Sequence, residues 1–242
     1  MSKIFSSEGI VFRTIKYSES SIICDIFTRE KGLRSFIASG VRSSKSGNKA
    51  ALYRPANIVD VVAYDQDQDK LSRIKEITFN YLYRNINLDI RISSIAIFIL
   101  EVSRNSIKEK EANEELYDFL NEWLKYLDNA VNYHSCLHLK FMLDFSFHLG
   151  FGPLDGKNKS KPYFDMLEGV FCDYINDSPN ILNEDESNII STLLHIKKES
   201  LHNVNWSKSV RNSVTDHLIR FYKLHLSGFR DLNSMEVLRS VL

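Results

Sequence analysis

Glycine and proline are scarce, nine and four in 242 residues, about 5% of the chain where about 12% is usual. An all-β protein, which needs a turn residue every ten positions or so, is therefore disfavoured, and much of the chain is expected to be helical. Cysteine is sparse too. Cys24, Cys136 and Cys172 form neither a CxxC pair nor an even disulfide framework, which points to a reducing, cytoplasmic chain. Long apolar runs are missing: the longest, IAIFIL at 95–100, is bounded by Ser94 and Glu101 and falls far short of the ~20 residues a membrane span needs. The opening MSKIFSSEG has no apolar stretch of the secretory-signal kind. Neither sign of charge is in excess, with 31 Lys+Arg against 31 Asp+Glu, which excludes a histone-like class. A hydrophobic content of 43% excludes disorder.

The overall balance conceals a division. Residues 1–80 carry 13 basic and 9 acidic side chains, residues 81–242 carry 18 and 22, and the apolar pattern changes at the same place. Before it stand short runs rich in Ile, Val, Phe and Thr: GIVFRTI, SIICDIF, LRSFIA and NIVDVVAY. They read as strands, with EKG at 30–32 and DQDQDK at 65–70 as hairpin turns. In NIVDVVAY, Val59, Val61 and Ala63 share a face opposite Asp60, the period-2 signature of a half-buried strand. LSRIKEITF is less plain, because Leu71, Ile74 and Ile77 recur at a helical interval; its β-branched second half and its place after an acidic loop favour a fifth strand. Five short strands in about 80 residues suit a small closed barrel such as an OB-fold.

Helical spacing then takes over. Leu88, Ile92, Ile95, Ile99 and Val102 form one stripe, and Leu116, Phe119, Leu120, Trp123, Leu124 and Leu127 another. Further helices are expected over about 131–149 and 206–226, and one behind Asn183 as N-cap. The loop GFGPLDGKNKSKP at 150–162 and a small hairpin in YFDMLEGVFCDY interrupt them. The expected fold is α+β: an N-terminal five-stranded OB-fold barrel, residues 1–80, followed by an all-helical domain, residues 81–242, with a loop or hairpin insertion at about 150–175.

The densest charge feature is basic. Arg29, Lys31, Arg34, Arg42, Lys45, Lys49 and Arg54 stand against Glu30 alone across 29–54, and a Ser/Gly/Asn-rich basic loop on a barrel suits a phosphate backbone. A solvated loop is its plain alternative. GVRSSKSGNK is not a nucleotide phosphate loop: six residues separate Gly40 from Gly47 where that motif has four, and Asn48 stands where Lys is required. GxSxG, HExxH and GxGxxG are absent. His134 and His138 have the i, i+4 spacing of a metal pair, but His148 lies ten residues, about 15 Å, beyond His138, so structural histidines are the better reading. Cys24, alternating with Ile22 and Ile26, belongs in the core.

GIVFRTIKYSESSIICDIFTREKG at 9–32, followed by ASGVRSSKS and Pro55, resembles the N-terminal barrel of the bacterial RecO family of recombination mediators. LKFMLDFSFHLGFGP at 139–153 resembles that family's helix ending in Leu-Gly-aromatic before a proline. HLIRFYKLHLSGFRDLNSMEVL at 217–238 resembles its C-terminal Tyr-x-x-His helix and tail. The resemblance implies a non-enzymatic DNA repair protein that binds single- and double-stranded DNA, anneals strands without ATP and helps load RecA onto strands coated by single-stranded DNA-binding protein (SSB). It implies RecR and the SSB C-terminal tail as partners, and a cytoplasmic protein associated with the nucleoid during repair.

Many members of that family bind zinc through two CxxC pairs after the Leu-Gly helix. Here only Cys172 stands in that stretch, so no cofactor or metal is expected, and Phe151, Tyr163, Phe164 and Phe171 are expected to hold the region instead. The expected DNA contacts are Arg29, Lys31, Arg34, Arg42, Lys45, Lys49 and Arg54, then Lys208, Arg211, Arg220 and Lys223 on the last long helix. Lys140 is a candidate for meeting the SSB tail. The alternative is an interaction scaffold that reaches DNA only through a partner.

Overall fold

The computed structural model of the chain describes residues 3–42, 49–66, 70–107, 111–130, 134–174 and 178–242. All five expected strands form: β1 (Ile4–Lys16), β2 (Ile22–Thr28), β3 (Gly32–Ala38), β4 (Ile58–Tyr64) and β5 (Ser72–Phe79). They close into an OB-like barrel in the order β1-β2-β3-β5-β4, antiparallel except where β3 meets β5 through Phe36↔Ser72 and Ile37↔Arg73. The helix-like spacing of β5 has a local cause. Its register against β4 shifts between Val62 and Ala63, which pair with Glu76 and Ile74, so Lys75 is the extra residue of a β-bulge. A bulge lets residues three apart face the same way, and Ile74 and Ile77 both pack on the barrel core.

The core holds Val11, Ile22, Cys24, Ile26, Phe36, Val59, Val61 and Ala63, as the period-2 reading of β2 and β4 requires. β1 is buried on both faces at Ile10, Val11 and Phe12, where a second register shift between Val11 and Arg13 interrupts the alternation. Gly9 is needed there, since a Cβ on it would stand 2.5 Å from Ile26 Cγ2.

The first compact unit runs through Ala130. It takes in the short helix α1 (Lys49–Leu52), α2 (Ile90–Ser106) and α3 (Glu114–Asn129), so it continues well past residue 80, where strands give way to helices. Phe27 meets Tyr117 of α3 with ring centroids 6.2 Å apart, and Asp25 on β2 holds Arg104 of α2 at 3.3 Å. Leu88 does not belong to the stripe of α2. It precedes the cap Asp89, whose carboxylate accepts from Arg91 N, and is 84% exposed. Asp128, fully buried near the end of α3, accepts hydrogen bonds from the backbone N–H of Arg84, Asn85 and Ile86 and from the Tyr81 hydroxyl. It thereby fixes the crossover from barrel to helices.

The second unit, Val131–Leu242, is built around α4 (Leu137–His148), whose residues from Leu137 to Leu143 are all buried. With it are α5 (Glu184–His195), α6 (Lys208–His225), α7 (Met235–Val241) and a 3-10 turn, Lys198–Asn203. The expected hairpin is β6 (Tyr163–Asp165) with β7 (Val170–Cys172); β8 (Ile181–Leu182) adds a third strand in the order β7-β6-β8. Asn183 caps α5 in a full capping box with Glu186. The Tyr-x-x-His pattern of α6 is a fastening. Tyr222 donates to the carbonyl of Met142 in α4 at 2.6 Å, while His225 bonds the Met166 carbonyl at 3.0 Å and stacks on Phe151 at 5.2 Å.

Phe151 and Phe164 both pack on Phe221, and Phe164 meets Phe171 at 5.1 Å. Tyr163 lies half-buried beside them. The residues here do not fit a zinc site. The Cys172 thiol is bonded to the Tyr174 carbonyl at 3.3 Å, with its pKa raised chiefly by burial, and among the described residues no three His, Cys, Asp or Glu side chains are grouped to hold a metal. Elemental analysis of the purified protein should find no stoichiometric zinc, and a chelator should leave the melting temperature unchanged. One equivalent of zinc would contradict this reading.

The spacing of His134 and His138 serves packing. His138 is buried, 3.1 Å from Thr215 Oγ1. That hydroxyl spends its proton on the Arg211 carbonyl, so the imidazole donates from Nε2. Burial, aided by Arg211, pushes His138 down to about 3. A depressed histidine favours the fold above the unfolded value near 6.5 and loses that contribution as pH falls toward 3. The expected acid limb steepens by about 1.4 kcal/mol per pH unit below ~6.5, and His138→Gln should flatten it in denaturant titrations at stepped pH.

Candidate nucleic-acid interface

The seven cations expected on the barrel separate into two groups. Arg29 is half-buried and clamped by α3, its guanidinium meeting both Asp118 oxygens at 3.0 and 3.1 Å and Glu114 at 2.8 Å. This fork holds the Asp118 carboxyl below its ordinary range. Lys31 sits 3.3 Å from Asp65 and over the Phe5 ring. Arg34 is buried at 6% exposure and donates to Asp65 and the Gln66 carbonyl, because strand alternation puts it on the face of Phe36 and Ala38. Arg34 leaves the expected contact set, because a guanidinium held inside the fold is not available to a phosphate; Arg29 and Lys31, with side chains 32% and 35% exposed, can reach one only by exchanging their surface ion pairs.

The others stay at the surface. Arg42 is exposed, with Nη1 3.3 Å from the Ser18 carbonyl. Lys49 and Arg54 are exposed on and just after α1. Lys45 lies outside the described residues. Two clefts adjoin at Val41 and Tyr53. One, about 310 Å³, is lined by Thr14, Ile15, Lys16, Ile22, Arg42 and Ala50; the other, about 240 Å³, by Ser39, Lys49, Leu52, Ile74, Lys75 and Ile77 with a single acid, Glu76. Arg73 reaches Ser39 Oγ at 3.4 Å, on the rim of the second. Ile15 and Tyr17 stand 42% and 60% exposed at the end of β1. Arg13 is turned to Asp25, 3.1 Å away.

Lys16, Arg73 and Lys75 escaped the sequence reading because they sit singly in strands, and only barrel closure brings them to the basic loop. Cations around an apolar cleft and a mixed one of this size suit a single strand, whose bases enter the clefts while Lys and Arg meet its phosphates.

In the second unit Lys208 is exposed. Arg220 and Lys223 make surface contacts with Asn180 and Asp231, which cost little to exchange. Arg211 is half-buried, donating to the carbonyls of Trp206 and Leu242. Lys140 is withdrawn as a partner contact: its buried ammonium is 3.0 Å from the Leu193 carbonyl in the last turn of α5 and 2.7 Å from Asp144, a favourable place for a cation inside the fold. No helix among the described residues is long and apolar enough to cross a membrane.

Comparison with known proteins divides the chain where strands give way to helices, not at the boundary between the two compact units. The family described as Recombination protein O N terminal matches residues 1–83, and that described as Recombination protein O C terminal matches residues 87–235. The DNA repair protein RecO of Flavobacterium psychrophilum is 34% identical over 236 residues, covering 97% of this chain and 98% of its own. That of Phocaeicola vulgatus is 33% identical over 233 residues, covering 96% and 97%. With both family models matched in order and full-length relatives above 30% identity, the chain belongs to the RecO family of DNA repair proteins.

Proposed function

We propose that this RecO-family chain is a non-enzymatic recombination mediator. It binds single- and double-stranded DNA through the clefted end of the barrel, anneals complementary strands without ATP, and helps load RecA onto SSB-coated strands with RecR as partner, on the nucleoid in the cytoplasm. The observation that carries this reading is the convergence of Lys16, Arg42, Lys49 and Lys75 on the two clefts that meet at Tyr53. Annealing needs no bond chemistry. Phosphates held on a cationic surface repel one another less, and base pairing supplies the free energy.

The test is a salt titration of single-stranded DNA binding by fluorescence anisotropy. Each phosphate neutralised contributes about −0.7 to the slope of log K against log salt, and four contacts predict a slope near −3. A slope near zero, or no binding at low salt, would favour a scaffold that reaches DNA through another protein. The engagement of Arg29, Lys31 and Arg34 by Asp118, Glu114 and Asp65 is the observation that favours that second reading.

A further inference from the structure

One charged feature is used neither by the barrel nor by the packing of the second unit. Residues 156–161, GKNKSK, place three lysines in five positions, on a turn that is pinned rather than merely solvated. The Asn158 side-chain oxygen accepts from Ser160 N, Lys161 N and Ser160 Oγ at 2.9, 3.0 and 2.6 Å, and Lys161 N also reaches the Asn158 carbonyl at 3.1 Å. Lys159 and Lys161 are exposed and Lys157 half-exposed.

The acid preceding the turn, Asp155, is occupied by His195 at 3.0 Å. This contact brings the turn alongside the end of α5, where Lys197 and Lys198 follow. Lys198 lies near Asp144, which Lys140 already holds. Lys157, Lys159, Lys161 and Lys197 make no ion pair among the described residues. Three of these lysines stand within five positions and the fourth two residues beyond His195, the partner of Asp155, in a unit with 12 basic and 13 acidic residues; like charges so grouped repel until an anion is supplied. Leu154, two residues before Gly156, is 65% exposed, and its N–H bonds the Gly169 carbonyl at 2.8 Å. Cations next to exposed apolar groups fit a strand with unstacked bases better than a purely ionic ligand.

We propose that the Lys157–Lys161 turn and Lys197 form a second phosphate-backbone surface, in the unit that does not contain the barrel, which holds a second single strand during annealing. The inference rests on the proposed annealing function. Annealing by this chain requires two strands to be retained at once, and a second cationic surface outside the barrel would hold the strand that the clefts at Tyr53 do not.

The experiment uses the full chain and labelled thymine oligonucleotides, which cannot pair with each other. Wild type should bind two strands per chain at low salt. Lys157→Glu with Lys159→Glu and Lys161→Glu should bind one, with the remaining affinity within about threefold of wild type, and should anneal complementary oligonucleotides at least tenfold more slowly. Arginine at the same three positions should restore both. Circular dichroism checks that the exposed turn tolerates the change. One strand per wild-type chain, or wild-type stoichiometry and annealing rate in the glutamate variant, would overturn the proposal while leaving barrel-based DNA binding in place. No binding by wild type would overturn both. Loss of binding to anionic phospholipid vesicles with unchanged DNA stoichiometry would assign the turn to a membrane surface instead.

Discussion

Replacing Asp128 by alanine is expected to cost about 3–5 kcal/mol of folding stability and to lower the melting transition of the first unit by roughly 10–20 °C. The size follows from what the carboxylate holds. It is fully buried and accepts from three consecutive backbone N–H groups, at Arg84, Asn85 and Ile86, and from the Tyr81 hydroxyl. Alanine strands those donors away from water, and each unsatisfied one costs about 1–3 kcal/mol. Asp128→Asn keeps one acceptor oxygen and should lose less, and Tyr81→Phe, which removes the bond to Asp128 and the exposed one accepted from Asn129, only about 1 kcal/mol. The basic end of the barrel is built by the strand pairs β1–β2, β3–β5 and β4–β5. DNA affinity of Asp128→Ala at low temperature should therefore stay near wild type. Denaturant unfolding within 1 kcal/mol of wild type would show that water replaces the carboxylate.

How far the sequence foretold these arrangements depended on how local their causes are. The alternation of β4, the N-cap at Asn183 and the core position of Cys24 were readable because each rests on neighbours a few residues away. β5 was hard for a physical reason: the bulge at Lys75 imitates a helical interval by adding one residue to a period of two. Arg34 was misjudged although its clue was present, since LRSFIA placed it on the face of Phe36. Charge density along the chain outweighed strand alternation in that reading. Arg29 and Lys140 gave less warning. Asp118 lies 89 residues from Arg29 and the Leu193 carbonyl 53 from Lys140, separations that only the folded chain closes. Lys16 and Lys75 entered the site by the same long-range route.

That partition of cations sets the last expected result. Arg42→Glu, Lys49→Glu and Lys75→Glu together should weaken single-stranded DNA binding about 100-fold at low salt and reduce the magnitude of the salt slope by about 2, since three phosphate contacts at about 0.7 each are removed. The loss should be nearly equal for oligonucleotides of different sequence, because contacts to phosphate carry no base information. All three side chains are exposed, so the unfolding midpoint should move little. Arg29→Gln and Arg34→Gln form the contrasting pair. Arg34→Gln removes a buried guanidinium that donates to Asp65 and the Gln66 carbonyl and should lower the midpoint, whereas Arg29→Gln breaks a surface fork to Asp118 and should move it little; neither should change the salt slope. The opposite pattern, with the slope lost at Arg29 and Arg34 and kept in the triple variant, would move the DNA site off the clefts at Tyr53 and onto the α3 side of the barrel.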